Sequence, residues 1–151
     1  MLDDHKLKFF REEQEDTRME TTMQLTAKKE AIELDVPKGF FICCNFTTQA
    51  ANRVKVKLYD DVGNVYLEME RQSTDYLPVT TVCREMKGNQ LYLTIDIPAS
   101  SSIDLRKNQW DIKDTGQGEL LARCIVLLAE DYTDRDYNDV QLSITAFQRK
   151  G

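Results

Sequence analysis

Several features are scarce in this sequence, and each scarcity excludes a class of protein. Only one histidine, His5, occurs in 151 residues, and the four cysteines include no Cys-x-x-Cys pair, so the spacing of a zinc site is absent. The longest apolar run, residues 125–129, is far shorter than the about 20 residues that a membrane-spanning helix needs. The charged N-terminus is unlike a cleaved signal peptide. We therefore expect no membrane span, and a protein that is cytoplasmic or exported without a cleavable signal.

Basic residues are also in the minority. The chain has 26 acidic and 20 basic residues, which gives a formal net charge of −6. An acidic surface repels phosphate backbones, and no basic cluster interleaved with aromatic residues compensates for it. We therefore expect no nucleic-acid partner.

The cysteines and the single tryptophan are interpreted as structural residues. Cys43 and Cys44 are neighbours, and neighbouring residues of a strand point to opposite faces, so the two do not serve one site. In an apolar context a free cysteine behaves as a small hydrophobic residue. We expect Cys43, Cys44, Cys83 and Cys124 to be buried, reduced thiols, as in a reducing compartment. Trp110 is expected to anchor a loop to the core.

The dominant pattern in the chain is alternation of apolar and polar residues. Such a period of two predicts strands with one buried face. Between the segments lie turn-forming sequences, at 37–39, 60–64, 87–89 and 98–102. The alternating segments are residues 23–27, 32–36, 40–46, 54–58, 65–69, 91–97 and 140–146.

These strands predict an all-β protein, an antiparallel β-sandwich of about nine strands. We place the sandwich at residues 31–151. Residues 1–30 contain eight acids, six bases and neither glycine nor proline, and we expect them to form a polar N-terminal extension.

One segment, residues 130–139, concentrates negative charge. It has five carboxylates and one base, a local charge of −4. Residues 31–151 contain 18 acids and 14 bases, also −4, so the rest of the predicted domain is neutral. Crowded carboxylates raise each other's pKa unless a cation compensates, and oxygen ligands in a flexible loop suit Ca²⁺. The segment therefore predicts a calcium site, with a solvated acidic turn as the alternative.

The spacing of Asp134, Asp136 and Asn138 imitates the start of an EF-hand loop. An EF-hand requires glycine where Asp139 stands and a bidentate glutamate where Thr145 stands. The segment is therefore not an EF-hand loop. The flanking segments also alternate as strands do. The acidic segment is therefore predicted to connect two β-strands.

The acidic segment, Glu-Asp-x-Thr-Asp-x-Asp-Tyr-Asn-Asp, resembles the calcium loop of the bacterial calcium-dependent fucose- and mannose-binding lectins. The resemblance covers about residues 31–151. The other matching features, in the same order and with similar spacing, are Val36-Pro37, residues 41–46, residues 54–59, Gln72-Ser73-Thr74, and the strands at Leu91 and Cys124.

This resemblance implies an oligomeric β-sandwich that holds two adjacent calcium ions per site, with sugar hydroxyls completing the coordination. One ion would be held by Glu130, Asp134, Asp136 and Asp139. The other would be held by Asp136, Asn138 and Asp139, so that shared carboxylates bridge the pair.

The resemblance also implies ligands outside the acidic segment. A main-chain oxygen of Thr47 or Thr48 would bind the second ion, and we take Thr48 as the candidate. Gly151, the last residue, would donate its carboxylate to the site of a neighbouring subunit, so we expect a homodimer or homotetramer. Small serines that contact sugar in the family are replaced by Thr48, Gln49 or Ala50, and we take Gln49 as the candidate sugar contact.

The remaining sugar contacts implied by the resemblance lie in the acidic segment. Asp131 and Asp134 would accept hydrogen bonds from sugar hydroxyls. Tyr132 stands where the family has a glycine beside the sugar, so we expect either a preference shifted away from fucose or mannose or a weak affinity for monosaccharides.

The sequence therefore predicts a calcium-dependent, carbohydrate-binding lectin that is not an enzyme. The main alternative is a calcium-stabilised structural or adhesion domain without a sugar site. A carbohydrate-active hydrolase is a further alternative, because paired carboxylates also flank the bond that glycosidases cleave. Carboxylates crowded into one loop fit a metal better than a glycosidase.

Overall fold

The computed structural model describes residues 19–25, 29–73, 79–100, 102–131 and 139–148. Within these ranges the chain forms ten β-strands, and no helix there is long and apolar enough to cross a membrane. The strands are β1 (Met19–Leu25), β2 (Lys29–Leu34), β3 (Phe41–Thr47), β4 (Ala50–Asp60), β5 (Val65–Ser73), β6 (Thr80–Glu85), β7 (Leu91–Asp96), β8 (Ile103–Lys113), β9 (Leu120–Glu130) and β10 (Val140–Phe147).

The strands form two antiparallel sheets. One has six strands in the order β1-β8-β9-β10-β3-β6, and the other has four in the order β2-β7-β4-β5. This confirms the predicted all-β antiparallel fold, with ten strands among the described residues where about nine were expected. Strand β1 belongs to the segment predicted as a polar extension and pairs with β8. Residues 1–18 and 26–28 of that extension lie outside the described residues, and its last two residues begin β2.

The core lies between the two sheets and is built mainly from the predicted alternating residues, together with buried residues of β8 and β9 that no predicted alternating segment contained. On β3, Ile42, Cys44 and Phe46 are buried, while the residues between them are at least partly exposed. Leu91 and Leu93 of β7 are completely buried. Burial of one such side chain stabilises the fold by about 1.5–3 kcal/mol, so the register of each strand is fixed by which residues face the core.

Strand β5 departs from the predicted alternation. Val65 was expected to face the core but is 36% exposed, whereas Tyr66 is buried. The pairing of β4 with β5 shifts register between Leu58 and Tyr59, and such a bulge changes which residues face inward. The buried Tyr66 hydroxyl donates a hydrogen bond to Asp60 Oδ2 at 2.6 Å.

The β4–β5 turn carries a network of hydrogen bonds around Asp60. Burial disfavours the Asp60 carboxylate, but hydrogen bonds from Tyr66, from Asn64 and from backbone amides outweigh it and lower its pKa to about 2. The β6–β7 turn packs against this network at Gly88. A Cβ added to Gly88 would lie 2.5 Å from Asp61 Oδ1 and 2.6 Å from Asp60 Cγ, so only glycine allows this approach.

The prediction of buried cysteines is correct only for Cys44. Cys43 and Cys124 are partly exposed and Cys83 is exposed, although all four are free thiols. The prediction failed because Cys43 and Cys124 occupy outward-facing positions of the six-stranded sheet, and Cys83 lies on its edge strand β6. Trp110 does not anchor a loop either: it lies within β8 and is 38% exposed.

Candidate metal centre

Three connections of the sandwich meet at one end. Ala129 at the end of β9 pairs with Val140 at the start of β10, so residues 130–139 connect these strands. Thr47 at the end of β3 pairs with Gln141, which places the β3–β4 loop beside the start of β10. The β7–β8 loop reaches the same place, where the Ser100 hydroxyl donates to the Asp131 carbonyl at 3.5 Å.

Three carboxylates converge where these connections meet. Glu130, Asp131 and Asp139 each offer one carboxylate oxygen, and these atoms all lie within 4.8 Å of one another. Glu130 and Asp139 are buried, and Asp131 is half-buried. The Asp131 backbone N–H donates to Asp139 Oδ2 at 2.7 Å. Two residues predicted as metal ligands and one predicted to contact sugar therefore form a single acidic cluster.

Burial makes the charge of this acidic cluster costly. It raises the pKa of Asp139 to about 6, with a further contribution from the charge of Asp131, although the hydrogen bond from the Asp131 backbone opposes the rise. Such a carboxyl group is stabilised either by a proton or by a cation.

Thr48 adds a buried oxygen at the same end of the sandwich. Its side chain is 0% exposed, and its Oγ1 has no hydrogen-bond partner within the part of the chain that the structure describes. A buried polar atom without a partner costs about 1–3 kcal/mol, which a ligand at this end would offset. Carboxylate and backbone carbonyl oxygens are hard ligands that Ca²⁺ takes, and the main-chain oxygen of Thr48 is the one predicted as a ligand. The residues present therefore fit a calcium ion.

Sequence reasoning missed two residues that hold Asp131. The Asn52 side-chain amide donates to Asp131 Oδ2 at 2.7 Å, and Ser100 contacts the Asp131 carbonyl. Neither residue stands out before folding: Ser100 begins a serine run that resembles an ordinary turn, and Asn52 lies just beyond the loop that contains the predicted candidates. Gln49, a predicted sugar contact, is half-buried in that loop.

Five predicted site residues lie outside the described residues. Their assignment stays a prediction, with the ligand and sugar roles given above. They are Tyr132, Asp134, Asp136, Asn138 and Gly151.

Comparison with known proteins identifies relatives of this fold. A family model described as fucose-binding lectin II (PA-IIL) matches residues 32–148. A search of curated proteins found no match.

Three solved structures are similar to this one. The C-terminal domain of the BC2L-C lectin from Burkholderia cenocepacia has a TM-score of 0.59 and 15% sequence identity, covering 88% of this chain and 100% of its own. A high-affinity mannose-binding lectin from Ralstonia solanacearum has a TM-score of 0.57 and 18% identity, covering 80% of this chain and 96% of its own. The Chromobacterium violaceum lectin CV2L, in complex with alpha-methyl-fucoside, also has a TM-score of 0.57 and 18% identity, covering 80% of this chain and 96% of its own. At these identities the likeness establishes a shared fold.

Proposed function

Since this chain belongs to the fucose-binding lectin II (PA-IIL) family and is thus a carbohydrate-binding lectin, we propose that it binds sugar through calcium held by residues 130–139. The observation that carries the proposal is the acidic cluster, in which Glu130, Asp131 and Asp139 place carboxylate oxygens within 4.8 Å of one another. We propose no catalytic role for these carboxylates.

The residues have distinct roles in this proposal. Asp134, Asp136 and Asn138 would complete, with Glu130 and Asp139, the ligands of a calcium pair. Bound calcium would supply coordination positions for sugar hydroxyl oxygens.

The carboxylate of Asp131 would accept a hydrogen bond from a sugar hydroxyl. Asn52 restricts the rotation of this carboxylate through their 2.7 Å hydrogen bond. The orientation of the acceptor is thereby set before the sugar arrives.

Sugar preference in this proposal depends on Tyr132. The side chain would border the sugar at the position where the family resemblance implies a glycine, so Tyr132→Gly should change affinity by about 1 kcal/mol or more. Stronger binding of fucose or mannose would show that the ring obstructs the pocket, and weaker binding that it stacks on the sugar. Unchanged affinity for every sugar would place Tyr132 outside the site.

Subunit association is the other part of the proposal. Gly151 of each subunit would complete the calcium site of its neighbour in a homodimer or homotetramer. Two alanines appended after Gly151 should then weaken calcium binding and shift the mass in solution toward monomer. Unchanged affinity and mass would refute the donated carboxylate and leave the acidic cluster intact.

The central experiment measures calcium and sugar together. A glycan array should show binding in calcium that is lost in chelator, and calcium should raise the melting temperature. Asp136→Asn should abolish both effects, whereas the matched control Asp96→Asn, which removes a carboxylate from β7 of the other sheet, should preserve them.

Each other outcome identifies an alternative. Calcium-dependent melting without glycan binding would indicate a structural or adhesion domain. Cleavage of a bound glycan would indicate a hydrolase. Identical melting curves in calcium and chelator would refute the calcium site.

A further inference from the structure

Two cysteines lie directly opposite each other on neighbouring strands. Cys43 of β3 pairs with Cys83 of β6 in the antiparallel register, and their Sγ atoms are 2.7 Å apart in a hydrogen bond between the thiols. A disulfide requires about 2.05 Å between sulfurs and about 4.4–6.8 Å between Cα atoms. Directly opposed residues of an antiparallel pair meet the second condition, at about 4.5–5.5 Å. The sulfurs need to approach by only about 0.7 Å to bond.

The surroundings of these thiols leave Cys83 accessible. Strand β6 is the edge of the six-stranded sheet, and Cys83 is exposed while Cys43 is half-buried. Two residues along, the same strands are linked by the Thr81 hydroxyl, which donates to Asn45 Oδ1 at 2.8 Å. A reagent in solution therefore reaches the Cys83 sulfur first, while the strands hold Cys43 beside it.

The other two cysteines are poorly placed to compete. Cys44 is buried and faces the core. Cys124 and Cys43 pair with the same residue, Thr145 of β10, from opposite sides. Two strand spacings, about 10 Å, therefore separate Cys124 from Cys43, which exceeds the reach of a disulfide.

We propose that Cys43 and Cys83 are a site of reversible oxidation, at which a small disulfide such as oxidised glutathione converts the two thiols into an intramolecular disulfide. The Cys83 thiolate attacks one glutathione sulfur, forms a mixed disulfide and expels one glutathione thiolate. The Cys43 thiolate then attacks the Cys83 sulfur, and the second glutathione leaves. The protein loses two electrons and two protons, and one oxidised glutathione becomes two glutathione thiols.

The electrostatics agree with this order of attack. The hydrogen bond with Cys83, together with burial, raises the pKa of Cys43 to about 11, so Cys43 is protonated at neutral pH. Once Cys83 is in the mixed disulfide, that thiol hydrogen bond is gone, and the main cause of the raised pKa is removed. Cys43 is thereby made more acidic when its thiolate is needed.

The test treats the reduced full chain with oxidised glutathione at about pH 8, blocks remaining thiols and maps the digested peptides without reductant. Two of the four thiols should disappear, a peptide joining Cys43 to Cys83 should form, and dithiothreitol should reverse both changes. The disulfide closes a loop between residues 40 positions apart, so the melting temperature should rise by about 5 °C or more.

Two variants complete the test. Cys124→Ser is the matched control and should form the same cross-link. Cys83→Ser should leave Cys43 unoxidised or glutathionylated. In the wild-type chain, three results would each overturn the proposal: four retained thiols, a stable glutathione adduct without the cross-link, or disulfides between chains.

Discussion

Replacing Asp139 by asparagine separates two effects of its charge in the acidic cluster. Without a metal the buried charge destabilises the fold, whereas in calcium the same charge helps to bind the ion. An asparagine side-chain oxygen can still accept the hydrogen bond that Asp139 Oδ2 receives from the Asp131 backbone at 2.7 Å. The substitution therefore removes a charge and keeps the local geometry. In chelator we expect Asp139→Asn to be more stable than the wild-type protein at neutral pH, and in calcium we expect it to be less stable.

The size of the stability difference between the two proteins in chelator follows from the pKa of Asp139. Its rise from 3.8 to about 6 is worth at most about 3 kcal/mol, at about 1.36 kcal/mol per unit. Asp131 beside it is half-buried and in contact with solvent, so screening reduces the measurable effect to about 1–2 kcal/mol. For a chain of this length that corresponds to about 3–6 °C in melting temperature.

The sign of the pH dependence is fixed by the direction of this shift. A carboxyl group with a raised pKa binds its proton more tightly in the folded state, so the folded state of the chelated protein loses stability as pH rises from about 4 to about 6. Asparagine does not titrate. The difference between the two proteins should therefore be largest above about pH 6 and should disappear near pH 4.

Thermal melting of both proteins in chelator and in calcium, from pH 4 to pH 8, measures these differences. Calcium at about 100 times its dissociation constant adds about 2.7 kcal/mol to the wild-type protein, which is enough to reverse the order. Asp96→Asn serves as the charge control and should show neither effect. Equal melting temperatures of wild-type and Asp139→Asn protein in chelator at every pH would show that the Asp139 charge does not destabilise the metal-free protein.

Three further predictions concern the turns and the site. Gly88→Ala should lower the free energy of unfolding by about 1–3 kcal/mol, since the new Cβ would lie 2.5 Å from Asp61 Oδ1; an unchanged urea midpoint would contradict this. Asp60 has a pKa near 2, so its stabilisation is present above about pH 4 and is lost as pH falls toward 2; Asp60→Asn should lack this acid-dependent loss in denaturation curves. Asn52→Ala should weaken sugar affinity about three- to tenfold through the unrestrained Asp131, with melting temperature nearly unchanged; calorimetry that finds equal affinity would exclude this role.

How well the strands could be predicted depends on how evenly each buries one face. In β3 and β7 one face is fully apolar, so the two-residue period of apolar and polar residues predicts both strands correctly. Strand β8 has Gln109 at a buried position, and the edge strand β6 is mostly exposed, so neither shows a clear apolar period. The reversal at Val65 follows from a bulge in the β4–β5 pairing, and a bulge is set by pairing between strands.

The acidic cluster was partly predictable for a similar reason. Glu130, Asp131 and Asp139 are close in sequence, so their accumulated charge is visible before folding. Asn52 and Ser100 contact Asp131 from positions 79 and 31 residues away. Small polar residues carry no net charge and are common in turns, so only the folded arrangement identifies them as neighbours of the site.

The pairing of Ala129 with Val140 has a consequence for engineering. Both residues are completely buried and directly opposed, so their pairing holds β9 and β10 in register beside the point where the connecting segment leaves one strand and enters the other. The entropic free-energy cost of closing a loop rises slowly with loop length, by about 0.6 kcal/mol for each doubling of the number of residues. A segment of different length or ligand chemistry can therefore be exchanged between these two residues without altering strand register, and new binding specificities can be selected on an unchanged scaffold.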